Sequence, residues 1–206
     1  DHGGVIFLDI RDREGLARDY RTLIEHLGLV IVPCAVLLPF LSPGIVHLAF
    51  GAQFDAAAPV LNVLGISAGL VFFSLASSAT NVALGVVRHG YWVGGLAVAV
   101  NLSIATPLAY RDGAVGAACG TLAAEVAMLV VSQYYTGTAL AGVLRPRRWL
   151  GIALASAALY AWLEAAPLPL ALRIVGGVAG YAAAVWALGL VEPALWLRRP
   201  ERTADA

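Results

Sequence analysis

Polar side chains interrupt otherwise apolar stretches of this chain at Asn81, Asn101 and Glu125. An ionisable group inside a bilayer costs ~2.5 kcal/mol or more at the centre of a helix, so it normally faces a cavity or a partner. Glu125 is the best candidate for binding a substrate or a coupling ion, because no basic residue lies within one helical turn of it. A helix–helix hydrogen bond or a snorkelling side chain is the alternative. Other polar residues lie nearby in sequence or near the ends of apolar stretches: Ser74, Ser77, Ser78, Thr80, Glu164 and Glu192.

Residue types that carry enzyme chemistry are sparse. The chain has no lysine, and it contains neither an HExxH motif nor paired CxxC motifs. Cys34 and Cys119 lie in apolar stretches and are expected to be small buried side chains. We therefore predict no enzymatic activity, no catalytic residue, no cofactor and no metal site. The histidines lie on separate segments and are expected to be loop or interfacial residues: His2, His26, His47 and His89.

The composition predicts an integral membrane protein. Of the 206 residues, 60% are hydrophobic and 13% charged, and the mean hydropathy is +0.82. That leaves too little polar surface to cover a water-soluble particle of this size. The formal net charge is zero, and the arginines form small clusters without a continuous basic patch. We therefore expect the lipid bilayer as a partner and no nucleic acid.

Apolar stretches long enough for a helix to cross a ~30 Å hydrocarbon core predict an all-α bundle of six transmembrane spans. Short connections, such as Arg111, Asp112 and Gly113, predict that consecutive helices are antiparallel neighbours. Small residues should let these helices pack closely; they include Gly94, Gly95, Gly113, Gly116, Gly120, Gly176, Gly177 and Gly180. The spans are expected at about 22–50, 56–87, 91–109, 114–135, 149–163 and 170–197, the second either tilted or beginning with an interfacial turn at residues 53–58.

The arginines predict the orientation of the spans. All of them except Arg111 and Arg173 fall on the side of the N-terminus. By the positive-inside rule, both termini face the cytoplasm of a multi-pass protein in the inner (plasma) membrane.

Three sequence segments carry a resemblance to a known family. Residues 48–61, LAFGAQFDAAAPVL, precede a long span that ends near Asn81 and Arg88. Asn101 follows, and then residues 111–125, RDGAVGAACGTLAAE. Their order and spacing over residues 16–197 resemble the C-terminal part of polysaccharide-biosynthesis flippases, the oligosaccharide-lipid branch of the multidrug/oligosaccharidyl-lipid/polysaccharide exporter superfamily.

The resemblance implies a bundle of two lobes around a polar cavity, which moves lipid-linked sugar by alternating access. The six spans correspond to about the ninth to the fourteenth helix of that family, so an N-terminal lobe is an expected partner beside the lipid-linked sugar. In family terms Asn81, Asn101 and Glu125 face the cavity or support its wall. Arg88 lies at the cytoplasmic mouth, near anionic lipid phosphate.

The first residues suggest a different origin. Residues 1–15, DHGGVIFLDIRDREG, resemble part of the anticodon-binding barrel of bacterial aspartyl-tRNA synthetases, with a strand at residues 5–10 and a charged turn at residues 11–15. A single strand cannot form a barrel, so this segment is expected to be a foreign remnant or a coincidental strand. Since the chain begins at Asp1, we expect it to be the later part of a longer protein. The expected domains are thus residues 1–15, the bundle at 16–197 and a polar cytoplasmic tail at 198–206.

Partial flippase function is the leading hypothesis. A membrane scaffold or subunit without transport of its own is the first alternative. The second is a chimeric synthetase fragment, soluble and nucleic-acid-binding, against which the six apolar spans argue.

Overall fold

The computed structural model describes residues 10–85, 87–140 and 145–190, and every regular element in these ranges is helical. The chain divides into two compact units between Arg145 and Pro146. The first unit contains α1 to α3 and the second contains α4 and α5. In chain order the elements are α1 (Ile10–Phe50), the 3₁₀ helix η1 (Ala52–Ala57), α2 (Ala58–Ala83), α3 (Val87–Ala139), α4 (Pro146–Ala165) and α5 (Leu170–Ala187).

Helix α1 begins at Ile10, so the charged turn expected at residues 11–15 is wrong. Opposite charges at helical spacing, such as Glu14 and Arg18, favour a helix here over a turn. The predicted strand at residues 5–10 lies outside the described residues, except for Ile10. The helix contains prolines at positions 33, 39 and 43, as expected of its apolar part. Its 41 residues correspond to about 61 Å at ~1.5 Å per residue, roughly twice the thickness of a hydrocarbon core.

A separate turn joins α1 to α2. Gly51 has a φ of 89°, which ends α1, and η1 follows at Ala52–Ala57. The rings of Phe50 and Phe54 stack edge to face with their centroids 6.1 Å apart. His47 Nδ1 lies 3.1 Å from Asp55 Oδ1 across the turn. The second apolar stretch was expected either to be tilted or to begin with a turn at residues 53–58. The structure has the turn, as η1.

The connection between α2 and α3 falls earlier than predicted. Arg88, His89 and Gly90 were expected to separate two spans, but they belong to the first turn of α3. Helix α2 instead ends at Ala83, with Leu84 as its C-cap and Gly85, which has a φ of 73°, directly after it. Arginine is a good helix former, whereas glycine adopts the left-handed conformation that commonly ends helices. The position of the glycine therefore predicts this helix end better than the position of the polar residues does.

Helix α3 folds back on itself at Gly113, whose φ of 62° and ψ of −135° are not helical. Residues 87–112 form its first arm and residues 114–139 its second. Gly120 lies against the backbone of Ala105, and Gly116 lies against the backbone of Leu108. Residues so far apart in sequence meet only if the arms are antiparallel. The turn predicted at residues 111–113 and the close packing predicted at Gly116 and Gly120 are confirmed.

Helix α2 packs between α1 and α3 in the first unit. Leu38 lies against Gly65 and Ile31 against Gly69, so α1 and α2 run antiparallel. These small residues on α2 allow close approach of the two helices. By contrast, a Cβ at Gly94 or Gly95 would meet nothing within 4 Å, so these two glycines do not pack closely against another helix in the described part of the chain.

In the second unit α4 and α5 form a hairpin around Pro167 and Pro169. Gly176 and Gly177 of α5 lie against the Trp162 side chain of α4, as the small-residue pattern predicted. Helix α5 ends at Ala187, so the single span predicted to run to residue 197 is interrupted at residues 188–190; residues 191–197 lie outside the described residues. Gly189 has a φ of 62°, and the amide of Leu190 donates to the carbonyl of Val185 at 3.1 Å. This is a Schellman termination, which closes the helix.

Large apolar side chains cover the outside of the described helices. Leu48 is 90% exposed and Trp92 is 76% exposed. Four helical segments in the described ranges are long and apolar enough to cross a membrane. The prediction of a helical fold whose apolar helices are long enough to span a membrane is therefore confirmed. The four segments are Arg13–Phe50, Ala52–Ala83, Tyr91–Gly137, which contains both arms of α3, and Leu170–Ala187.

Candidate membrane-depth polar site

The predicted site residues lie on different parts of the first unit. Asn81 is near the end of α2, Asn101 is on the first arm of α3, and Glu125 is on the second arm. Arg88 lies in the first turn of α3, and its side chain is outside the described part of the structure. In the structure Asn101 contacts Thr121, which is one helical turn before Glu125. Asn81 lies elsewhere, near the end of α2.

The α3 hairpin aligns Asn101 with Thr121. The Nδ2 atom of Asn101 donates to Oγ1 of Thr121 at 3.4 Å, and Thr121 Oγ1 in turn contacts the Ala117 carbonyl at 3.5 Å. Close approach of the arms at Gly120 makes this contact possible. Glu125 follows Thr121 by one helical turn and so shares its face of the arm. We call Asn101, Thr121 and Glu125 the central site.

Glu125 is the chemically distinctive member of the central site. Its side chain is partly exposed, but its Oε2 atom is buried and has no hydrogen-bond partner among the described residues. It also forms no ion pair with any residue described by the structure. Glu125 lies about 18 Å along the arm from Gly113 at ~1.5 Å per residue, near the middle of a ~30 Å apolar layer. A carboxylate held there costs free energy unless a cation, a proton or a polar ligand compensates it.

Asn81 belongs to a second polar group, near the ends of α2 and of the second arm of α3. The single hydroxyl proton of Thr136 is shared between two acceptors, Oδ1 of Asn81 at 3.1 Å and the carbonyl of Ser132 at 2.9 Å. Tyr20 of α1 donates to Oε1 of Gln133 at 2.9 Å. Its hydroxyl also lies 2.7 Å from Oγ of Ser77 on α2. We call these residues the Tyr20 cluster: Tyr20, Ser77, Asn81, Gln133 and Thr136.

Most of the Tyr20 cluster is buried, and Asn81 and Gln133 are half-buried. Tyr20 is 2% exposed, and Ser77 and Thr136 are 0% exposed. Its hydrogen bonds join α1, α2 and the second arm of α3. Gln133 lies about 18 Å along the arm from Thr121, at ~1.5 Å per residue, so the cluster and the central site are separate. The cluster therefore ties three helices together, and Asn81 takes part in it.

Sequence reasoning missed Tyr20, Gln133 and Thr136. Their proximity could have been predicted from the antiparallel order of the spans. In that order the start of α1 lies at the same level as the end of α2 and the end of the second arm of α3. The polar stripe on α2 was recognised, and the structure divides it. Ser77 and Thr80 are buried and donate to the carbonyls of Phe73 and Ala76 at 2.9 Å, whereas Ser78 is exposed.

The remaining predicted polar residues lie away from both groups. Glu164 is exposed on α4, and Glu192 lies outside the described residues. His26 bonds the Thr22 carbonyl within α1, while His2 and the side chain of His89 are outside the described part. Cys34 is exposed and Cys119 is half-buried, both as free thiols. The expectation that Cys34 is buried is wrong, since it lies on an outer face of α1. Within the described ranges no three His, Cys, Asp or Glu side chains are grouped as metal ligands.

Comparison with known proteins found no match for this chain among protein-family models, curated proteins or solved structures.

Proposed function

We propose that this chain is a six-span lobe of a membrane transport protein. Its substrate class would be lipid-linked oligosaccharide or polysaccharide precursors, moved across a bacterial inner membrane by alternating access together with a second lobe. The proposal rests mainly on Glu125, a carboxyl group near the middle of an apolar hairpin with a buried oxygen that lacks a hydrogen-bond partner. The sequence resemblance over residues 16–197 supplies the substrate class.

Glu125 has the chemistry of a group that changes its ligand during transport. In an aqueous cavity its carboxylate binds a proton or a cation, and in an apolar surrounding the neutral or paired form is favoured. Asn101 and Thr121 add an amide and a hydroxyl, which match the hydroxyl groups of a sugar. Arg88, on the other end of the first arm, is proposed to attract the anionic phosphate of the lipid carrier.

The hairpin of α3 supports the proposed six-span topology. Each arm, at about 39 Å, is long enough to cross a ~30 Å core alone. The proposal counts the two arms separately and adds α1, α2, α5 and the 20-residue α4, which is not among the four long apolar segments. With six crossings, both termini would face the cytoplasm. In a cysteine-free background, a membrane-impermeant thiol reagent is expected to label Asp112→Cys from outside and Arg147→Cys only after permeabilisation. Labelling of both from the same side would contradict six spans.

Translocation in proteoliposomes tests the transport function. The full chain is reconstituted with a fluorescent polyprenyl-linked oligosaccharide, alone and with a candidate N-terminal lobe. Wild type is expected to move the lipid faster than protein-free vesicles do, and Glu125→Gln is expected to slow it by about ten-fold, or ~1.4 kcal/mol in the barrier. Glu164→Gln is the matched control, since Glu164 is exposed on α4. An unchanged rate in Glu125→Gln would contradict the role of this carboxyl group.

A scaffold or subunit without transport of its own is the second candidate. The Tyr20 cluster favours it, because its hydrogen bonds tie three helices together as a structural element would. Wild-type rates equal to those of protein-free vesicles, with and without the second lobe, would support the scaffold.

A further inference from the structure

We propose that the second unit binds an anionic phospholipid, with an acyl chain in the groove between α4 and α5 and the phosphate at Arg173. The groove has a volume of about 280 Å³ and a mostly apolar lining. It begins beside Trp162 and Gly176 and runs along α5 to Ala184, a length of about 12 Å at ~1.5 Å per residue. A narrow apolar groove on a membrane-exposed hairpin has the shape and polarity of an acyl chain.

Arg173 supplies the charge at the end of this groove. It lies in the first turn of α5, one turn before Gly176 and Gly177 of the lining. One guanidinium nitrogen donates to the Leu163 carbonyl at 2.7 Å, and the indole of Trp162 donates to the Arg173 carbonyl at 3.0 Å. A guanidinium carries five N–H donors; the bond to Leu163 uses one of the four on its two terminal nitrogens, and the buried Nε is out of reach of a phosphate. The bond to Leu163 holds the guanidinium between α4 and α5, and the other N–H groups of its terminal nitrogens are the proposed donors to a phosphate, which arginine binds well.

Occupation by a helix from another chain fits the groove less well. Gly176 and Gly180 have the GxxxG spacing that often joins membrane helices. However, the Trp162 indole already lies over Gly176, 3.2 Å from where a Cβ would be. A partner backbone therefore cannot reach both glycines, whereas a flexible acyl chain needs only the open side at Gly180, where nothing lies within 4 Å. The positive charge of Arg173 also selects a phosphate over an apolar helix.

Fluorescence quenching by brominated lipids tests the site directly. The full chain, with Trp162 as its only tryptophan, is reconstituted in vesicles that contain brominated phosphatidylglycerol or brominated phosphatidylcholine. Phosphatidylglycerol is expected to quench Trp162 with about five-fold higher affinity, since one arginine contributes ~1 kcal/mol to the attraction of anionic lipid. Arg173→Gln should abolish this preference, and Arg173→Lys should retain most of it.

Gly180→Leu tests the contribution of the groove independently of the charge of Arg173. The added side chain has free space, so the hairpin is expected to fold, and it should fill the groove and weaken quenching by both lipids. Gly94→Leu, also in open space but on α3, is the matched control and should leave quenching unchanged. Equal affinity for the two lipids in wild type, or unchanged quenching in Gly180→Leu, would overturn the proposal. Wild-type dimerisation in vesicles that is lost in Gly180→Leu would also overturn it, since a second copy would then occupy the groove.

Discussion

The Tyr20 cluster and the central site both include side chains of the second arm of α3, but their polar groups are satisfied differently. The hydroxyl of Tyr20 has two side-chain neighbours from different helices, at 2.7 and 2.9 Å. In the central site Asn101 contacts Thr121, whereas the buried oxygen of Glu125 has no hydrogen-bond partner among the described residues. Polar groups that satisfy one another stabilise a bundle, and a polar group left unsatisfied at membrane depth indicates a ligand. The comparison thus separates a structural group from the group to which we propose a function.

The largest effect is expected from separating the arms that form the central site. In Gly120→Leu the new side chain collides with the backbone of Ala105, which cannot move aside as a flexible side chain can. We expect a loss of about 3 kcal/mol in the free energy of unfolding, at the upper end of overpacking effects. Denaturation of the protein in mixed micelles, followed by circular dichroism, measures it. Gly95→Leu, in open space, serves as the control; equal losses in both variants would argue against a close hairpin.

Replacing the unsatisfied carboxyl is expected to affect transport without loss of stability. Glu125→Gln removes the charge of a partly exposed carboxyl group whose Oε2 atom lacks a hydrogen-bond partner, so the free energy of unfolding should stay within about 0.5 kcal/mol of wild type. The same micelle denaturation gives this value. A loss of ~2 kcal/mol would instead show that Glu125 has a structural partner in the folded protein.

A smaller effect on stability is expected from the Tyr20 cluster. Tyr20→Phe keeps the buried ring and removes the hydroxyl that contacts Ser77 and Gln133. We expect a loss of about 1 kcal/mol, since interhelical hydrogen bonds in membranes contribute ~0.6 and up to ~1.7 kcal/mol each. Tyr110→Phe is the control, as Tyr110 is 91% exposed. Stability equal to that of wild type in Tyr20→Phe would remove the structural role of the cluster.

The smallest effect concerns the contact between Asn101 and Thr121, which is long at 3.4 Å. A double-mutant cycle of Asn101→Leu and Thr121→Val should give a coupling energy of about 0.5 kcal/mol or less. A coupling energy above ~1.5 kcal/mol would show that Asn101 and Thr121 stabilise the fold as the Tyr20 cluster does, and would contradict the distinction between the two sites.

Local features of the sequence predicted part of this architecture. Arg111, Asp112 and Gly113 interrupt a long apolar run, and the hairpin turns there because glycine adopts a backbone conformation closed to other residues. The boundary at Gly85 was not predicted, because the end of the span was placed at the polar residue Arg88 and not at the glycine. The close approach at Gly120 was anticipated from residue size, since helix packing in lipid depends on small residues.

The composition of the two polar groups was harder to predict. Tyr20 meets partners 57 and 113 positions away in sequence, and only the packing of three helices shows that they are neighbours. Asn81 and Asn101 look alike in sequence, as single amides in apolar spans, yet one bonds Thr136 and the other Thr121. Sequence identified the polar residues at membrane depth, and tertiary structure decided which of them are satisfied.

Translocation of the polyprenyl-linked oligosaccharide by Glu125→Gln and Tyr20→Phe, measured side by side at a temperature where both are folded, tests the central claim most directly. Glu125→Gln is expected to be stable and slow by about ten-fold, and Tyr20→Phe is expected to be less stable and to transport within about two-fold of wild type. Normal transport by Glu125→Gln together with slow transport by Tyr20→Phe would contradict the assignment of function to the central site.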